Sequence, residues 1–79
     1  MGIDLAQMEA GKWGVVSSVE GGHGVISRLE SLGLRPGARV SKISAHFFKG
    51  PVLVNVNNRR IALGYGLARK VFVDMEGDK

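Results

Sequence analysis

The chain has 79 residues, 44% of them hydrophobic, and a formal net charge of +4. That length holds one domain over 1–79 with a thin core, because so small a domain buries only roughly 60% of its unfolded surface. The absence of cysteine excludes disulfides and cysteine zinc ligands as staples; no apolar run approaches the roughly 20 residues of a membrane helix and no basic-then-apolar leader opens the chain, so a soluble cytoplasmic protein is expected.

Residues 1–11 are mixed. Asp4 can cap one turn carrying Leu5 and Met8, with Gly11 ending it. Lys12 to Glu20 reads as the first strand, with Trp13, Val15 and Val19 on one face by parity. Gly21 to Gly24 breaks that strand. Val25, Ile26, Leu29 and Leu32 then recur at helical spacing, with Ser27, Arg28, Glu30 and Ser31 on the other side. Gly33 falls where the chain must turn left-handed to close a helix, and Leu34 can fold back on the last turn, as in a Schellman cap. Pro36-Gly37 suits the centre of a type II turn, since proline sets φ and glycine accepts a positive one.

Ala38 to Phe48 reads as a second strand of uneven parity. Val40 and Ile43 share a face only if a bulge or bend falls near Ser41-Lys42. Lys49-Gly50-Pro51 breaks this strand, and Pro51, which lacks an N–H, belongs at a strand start. Residues 51–56 and 59–63 flank Asn57-Asn58, a pair that tolerates left-handed φ and so fits a two-residue hairpin turn. That loop length predicts Val56 opposite Arg59, Val54 opposite Ile61 and Val52 opposite Leu63, with Leu53 and Ala62 meeting on the other face. Residues 64–69 are short and glycine-rich, enough for a single helical turn. Lys70 to Met75 is the last strand, with Val71 and Val73 inward, and residues 76–79 should fray. The sum is about five short strands and one short α-helix between the first and second. Such a chain buries its strands by closing a mainly β, small, partly open barrel, SH3-like rather than an OB-fold, with its core in residues 4–75.

No catalytic constellation emerges. Gly22 to Ser27 starts like a dinucleotide fingerprint, but Ser27 takes the third glycine position and no crossover unit follows. No Walker-type Gly-Lys-Ser/Thr occurs, and no Ser, His and carboxylate stand at triad spacings. The chain is therefore read as non-enzymatic. The positive charge raises the prospect of an acidic partner. The basic residues are scattered, however, and adjacent only at Arg59-Arg60 and Arg69-Lys70, which argues against nucleic acid. His23 and His46 are the only histidines and lie far apart. Two such residues read first as surface or loop side chains; the sharper alternative is a loose metal site with Glu20 beside His23, or one shared between two chains. Anion binding at the helix start after Gly21 is a further alternative. Phe47 and Phe48 are adjacent and cannot both enter the core of a regular strand. Either one packs inward while the other covers a loop, or one is exposed and anchors a partner.

The motif series Arg28-Leu29, Leu32-Gly33-Leu34, Pro36-Gly37, Gly50-Pro51, Ile61-Ala62-Leu63, and Ala68 before Val71-Phe72-Val73 resembles the FeoA family. No single element of the series is specific; their order and spacing are. The resemblance spans residues 4–75 and implies an SH3-like barrel. It also implies a cytoplasmic accessory role in ferrous-iron uptake beside FeoB, a membrane transporter with a cytoplasmic GTP-binding domain. The domain would reach the inner face of the membrane through the cytoplasmic or membrane-proximal part of that partner. The same domain type forms the C-terminal part of iron-dependent transcriptional regulators, and the position of Met1 close to the domain edge points instead to the stand-alone form. The resemblance nominates no catalytic residue, and Leu29, Gly33, Gly37 and Ala68 look structural.

The candidate partner contacts are therefore chosen on physical grounds: the helix-end segment Leu32, Gly33, Leu34 and Arg35, with the loop Phe47, Phe48, Lys49, Gly50 and Pro51. Arg35 would meet an acidic surface and a phenylalanine would supply apolar anchorage. No tightly bound cofactor is expected. Weak Fe²⁺ or Zn²⁺ binding through His23, His46 and Glu20 is one alternative, a nucleic-acid-binding or iron-dependent regulatory module another, and a homo-oligomer is compatible with both.

Overall fold

The computed structural model describes residues 2–45 and 50–75. In chain order the elements are β1 (Gly2–Asp4), β2 (Trp13–Val19), α1 (His23–Ser31), β3 (Arg39–Ala45), β4 (Val52–Val56), β5 (Arg59–Leu63), α2 (Tyr65–Ala68) and β6 (Val71–Asp74). The strands form one six-stranded antiparallel sheet in the order β1-β6-β2-β3-β4-β5. The sheet curls around a core supplied by its inner face (Val16, Val40, Val52, Val54, Val56, Leu63, Val71 and Val73). Leu29 and Leu34 close the core from α1 and its stop, Ala68 from α2, and Leu5 and Met8 from the N-terminal turn. This is the mainly β, partly open barrel the spacing predicts, with α1 between the first two long strands.

The local signals hold where they are strongest. Asn57 and Asn58 have φ of 54° and 61°, as a type I′ turn requires. The hairpin pairs Val56 with Arg59, Val54 with Ile61, Val52 with Leu63 and Leu53 with Ala62, the predicted register. Asp4 caps the N-terminal turn, its Oδ1 accepting from the Gln7 N–H at 2.9 Å. Val71 and Val73 are fully buried, and a single helical turn precedes β6.

Three features differ from expectation, and each arises from pairing between distant segments. First, Gly2 to Asp4 forms a sixth strand against β6, with Ile3 opposite Val73. Three residues are too few to show a period, so only the partner strand defines it. Second, Trp13, Val15 and Val19 do not share a face. The β2–β6 register shifts between Val16 and Ser18, leaving Ser17 as the extra residue. Val16 is buried in the core and Val19 packs against it from beyond the bulge, while Trp13 and Val15 lie on the outer face. Third, the bulge in β3 falls between Lys42 and Ser44, after the expected position, so Val40 and Ile43 stay on opposite sides. Ile43 is 36% exposed.

Lys42 takes the inward position beside Val40 and is only 3% exposed. Its Nζ donates to the carbonyl oxygens of Ala6 at 2.9 Å and Met8 at 2.6 Å. The main chain adds Gly11 N–H to the Lys42 oxygen at 2.8 Å and Lys42 N–H to the Lys12 oxygen at 3.0 Å. Lys42 thereby fastens the turn that delivers Leu5 and Met8 to the core. Burial lowers its pKa, and the Asp4 carboxylate opposes part of that shift.

Candidate functional site

The helix end forms from local chemistry alone. After Ser31 the chain makes a complete Schellman motif: the Gly33 N–H reaches the Glu30 oxygen at 2.9 Å, and the Leu34 N–H reaches the Leu29 oxygen at 3.0 Å. Gly33 has a φ of 96°, which favours glycine. A side chain there would also strike the Asn57 amide, 2.8 Å from an ideal Cβ. The next turn closes with the Ala38 N–H on the Arg35 oxygen at 3.0 Å, with Gly37 at a φ of 94°. Gly37 then donates to the Val16 oxygen at 2.8 Å, which ties the turn to β2.

This rigid stop sorts the candidate contact residues. Leu34 is fully buried and cannot touch a partner; its place is against Leu29 in the core. Leu32 is half-buried and packs on the core, and Gly33 is half-buried against Asn57. Arg35 is exposed, with Nη2 donating to the Glu30 oxygen at 3.3 Å, so its guanidinium lies over the end of α1. A cation there complements the negative end of the helix.

The loop half of the candidate surface lies elsewhere. Pro51 is exposed and Gly50 half-buried, both preceding the Val52 end of β4. The helix stop packs at the opposite, Val56–Asn57 end of that strand, about 13 Å away at the usual rise per residue. Gly50 and Pro51 are thus not brought together with Leu32 to Arg35. Phe47, Phe48 and Lys49 lie outside the described residues, as does His46.

The described members of the metal set, Glu20 and His23, are both exposed. Glu20 lines a depression of 400 Å³ with Asp4, Gly66, Arg69, Lys70 and Phe72. Two cations share that depression with the carboxylates, which disfavours a metal ion there. His23 begins α1 after Gly22 and is not part of that lining. Among the described residues, no three His, Cys, Asp or Glu side chains converge as a metal-binding group.

A second surface escapes sequence reasoning. Arg39, Ser41, Asn55, Asn57 and Asn58 line a depression of 200 Å³ on the outer face of the sheet. Arg39 stacks over Trp13, its Cζ 4.4 Å from the ring centroid. Regular parity in β3 and β4 puts Arg39, Ser41 and Asn55 on the outer face, and Asn57, which lies against Gly33, connects the depression to the helix stop. The described helices include none long and apolar enough to cross a membrane.

Comparison with known proteins places this geometry. The FeoA domain family matches residues 3–75. An Fe(2+) transport protein A of Methanocaldococcus jannaschii is 33% identical over 70 residues, which is 89% of this chain and 83% of that protein. The crystal structure of an iron uptake regulatory protein, FeoA, superposes with a TM-score of 0.86 at 38% identity, covering 92% of this chain and 96% of that one. FeoA of Stenotrophomonas maltophilia, solved with zinc and described as a prokaryotic SH3 domain protein, superposes with a TM-score of 0.79 at 30% identity, covering 91% and 89%. A manganese-dependent transcriptional repressor superposes equally well, with a TM-score of 0.86, but at 19% identity and over 41% of its length, a likeness of fold alone.

Proposed function

The chain belongs to the FeoA family, and from that premise we propose that it is a non-enzymatic accessory protein of ferrous-iron uptake. It binds the cytoplasmic part of a FeoB-type membrane transporter, at the inner face of the membrane, and modulates that transporter's assembly or activity. The observation that carries this reading is the family match, which runs through the described barrel and includes relatives named for iron transport. The surface supports it. The described depressions hold no convergent acid, base and nucleophile, whereas the helix stop is fixed by a chain of backbone hydrogen bonds and displays a charged group.

The proposed contact is the side of the barrel formed by Leu32, Gly33 and Arg35, where Gly33 lies against Asn57. Leu34 holds this segment from beneath. Arg35 pairs with an acidic residue of the transporter, and the stop is preorganised, so little conformational entropy is lost on docking. The test is a pull-down of full-length transporter by this chain, with and without guanine nucleotide. Association that falls about tenfold with Arg35→Glu supports the reading. No association in either nucleotide state refutes it.

A further inference from the structure

β5 ends the sheet. It pairs with β4 on one side, and no described strand pairs with it on the other. The two-residue turn decides which of its backbone groups face outward. Val56 and Arg59 flank that turn as a hydrogen-bonded pair, and hydrogen-bonded pairs alternate from there, so Val54 with Ile61 and Val52 with Leu63 also exchange bonds. The N–H and C=O of Arg60 and Ala62 therefore point away from β4. Neither residue makes another backbone hydrogen bond among the described residues.

The side chains leave this row accessible. Arg59, Arg60 and Ala62 are exposed, and an alanine is too small to shield the peptide groups beside it. Edge strands are commonly blunted by proline, a bulge or an inward charge. β5 has no proline, and its register with β4 is unbroken over its five residues. Its charges lie at the hairpin end, where Arg60 shares the outer face with Asn55 and Arg59 stands at the rim. Both are cations on a chain of net charge +4. They oppose pairing with a second copy of the same chain and favour a negatively charged strand.

We propose that the β5 edge docks an extended acidic segment of another protein, which adds to the sheet as a further strand. The outward N–H and C=O groups of Arg60 and Ala62 supply the ladder. Carboxylates on the outer-face positions of the incoming strand meet Arg60, and apolar residues on its inner-face positions meet half-buried Ile61. Main-chain bonds provide affinity and the alternating side chains provide selection. The ladder residues Arg60 and Ala62 lie outside the helix stop, and the inference does not rest on the iron-transport role.

The test is a titration of the ¹⁵N-labelled full chain with a short peptide of alternating glutamate and valine, and with its lysine–valine counterpart. The acidic peptide is expected to shift the Arg60 and Ala62 amide resonances first and to slow their exchange with solvent. The basic peptide is expected to bind at least about tenfold more weakly. Ala62→Pro removes an outward N–H that takes no part in the β4 ladder, so it preserves the hairpin while weakening binding about tenfold or more. Should that variant not fold, Arg60→Glu at an exposed position carries the test, and it is expected to invert the preference between the two peptides. Equal affinity for both peptides, no response at Arg60 and Ala62, or undiminished binding by folded Ala62→Pro overturns the proposal. So does sedimentation showing that the free chain already pairs with itself through this edge.

Discussion

Replacing Lys42 by methionine tests the internal cross-brace of this barrel. Methionine keeps an unbranched chain of similar reach but cannot donate, so the Ala6 and Met8 carbonyls lose the Nζ contacts at 2.9 and 2.6 Å. Neither oxygen accepts another backbone bond among the described residues. A buried carbonyl left unpaired costs about 1–3 kcal/mol. Removing a desolvated ammonium returns part of that loss, which leaves a net destabilisation of about 2 kcal/mol. Domains of this size have about 4–12 kcal/mol in total, and the change lowers Tm by roughly 8–16 °C. Urea denaturation followed by fluorescence of Trp13, the sole tryptophan, measures it. Lys70→Met, at an exposed lysine, is the control. A Lys42→Met midpoint within about 0.5 kcal/mol of the parent would refute the bracing role.

The same lysine sets a pH dependence. Its folded pKa lies below its ordinary value, so between the two the unfolded chain holds more protons. The stability of the parent relative to Lys42→Met should therefore rise with pH through that window, towards about 10.4, and a fall would contradict the burial. Gly33→Ala should cost about 1–2 kcal/mol by urea denaturation, since it combines the 96° φ with the contact on Asn57. Gly24→Ala, within α1 and with open space around its Cβ, should instead stabilise by about 0.5–1 kcal/mol. At the hairpin turn, Asn58→Gly should leave stability equal or raised by about 0.5 kcal/mol. Asn58→Val should lower it by about 1–2 kcal/mol, because a β-branched residue resists the 61° φ.

The helix stop and the hairpin were legible in the chain because their causes are local. Gly33 and Leu34 lie within five residues of the helix carbonyls they bond, Pro36-Gly37 sets its own turn, and Asn57-Asn58 sets a register that propagates along both strands. The candidate site was legible only in part. Arg35 is exposed as expected, but Leu34 went into the core, since the cap that Gly33 closes requires its apolar contact beneath. As motifs in series, Leu32 to Arg35 and Gly50-Pro51 read as one surface. Their positions at opposite ends of β4 follow from which end of that strand the helix stop meets.

Turn chemistry and hydrophobic spacing thus decided every element but β1, together with the helix cap, the hairpin register and the family resemblance. These are short-range effects, written in neighbouring residues. The tertiary structure alone decided the long-range pairings: β1 against β6, the bulges at Ser17 and Ile43, and the burial of Lys42 against Ala6 and Met8. A strand's parity predicts a face only while its partner runs in step, and one unpaired residue reverses it. A lysine in the chain reads as solvent-facing until the carbonyls that satisfy its charge arrive from a segment more than thirty positions away.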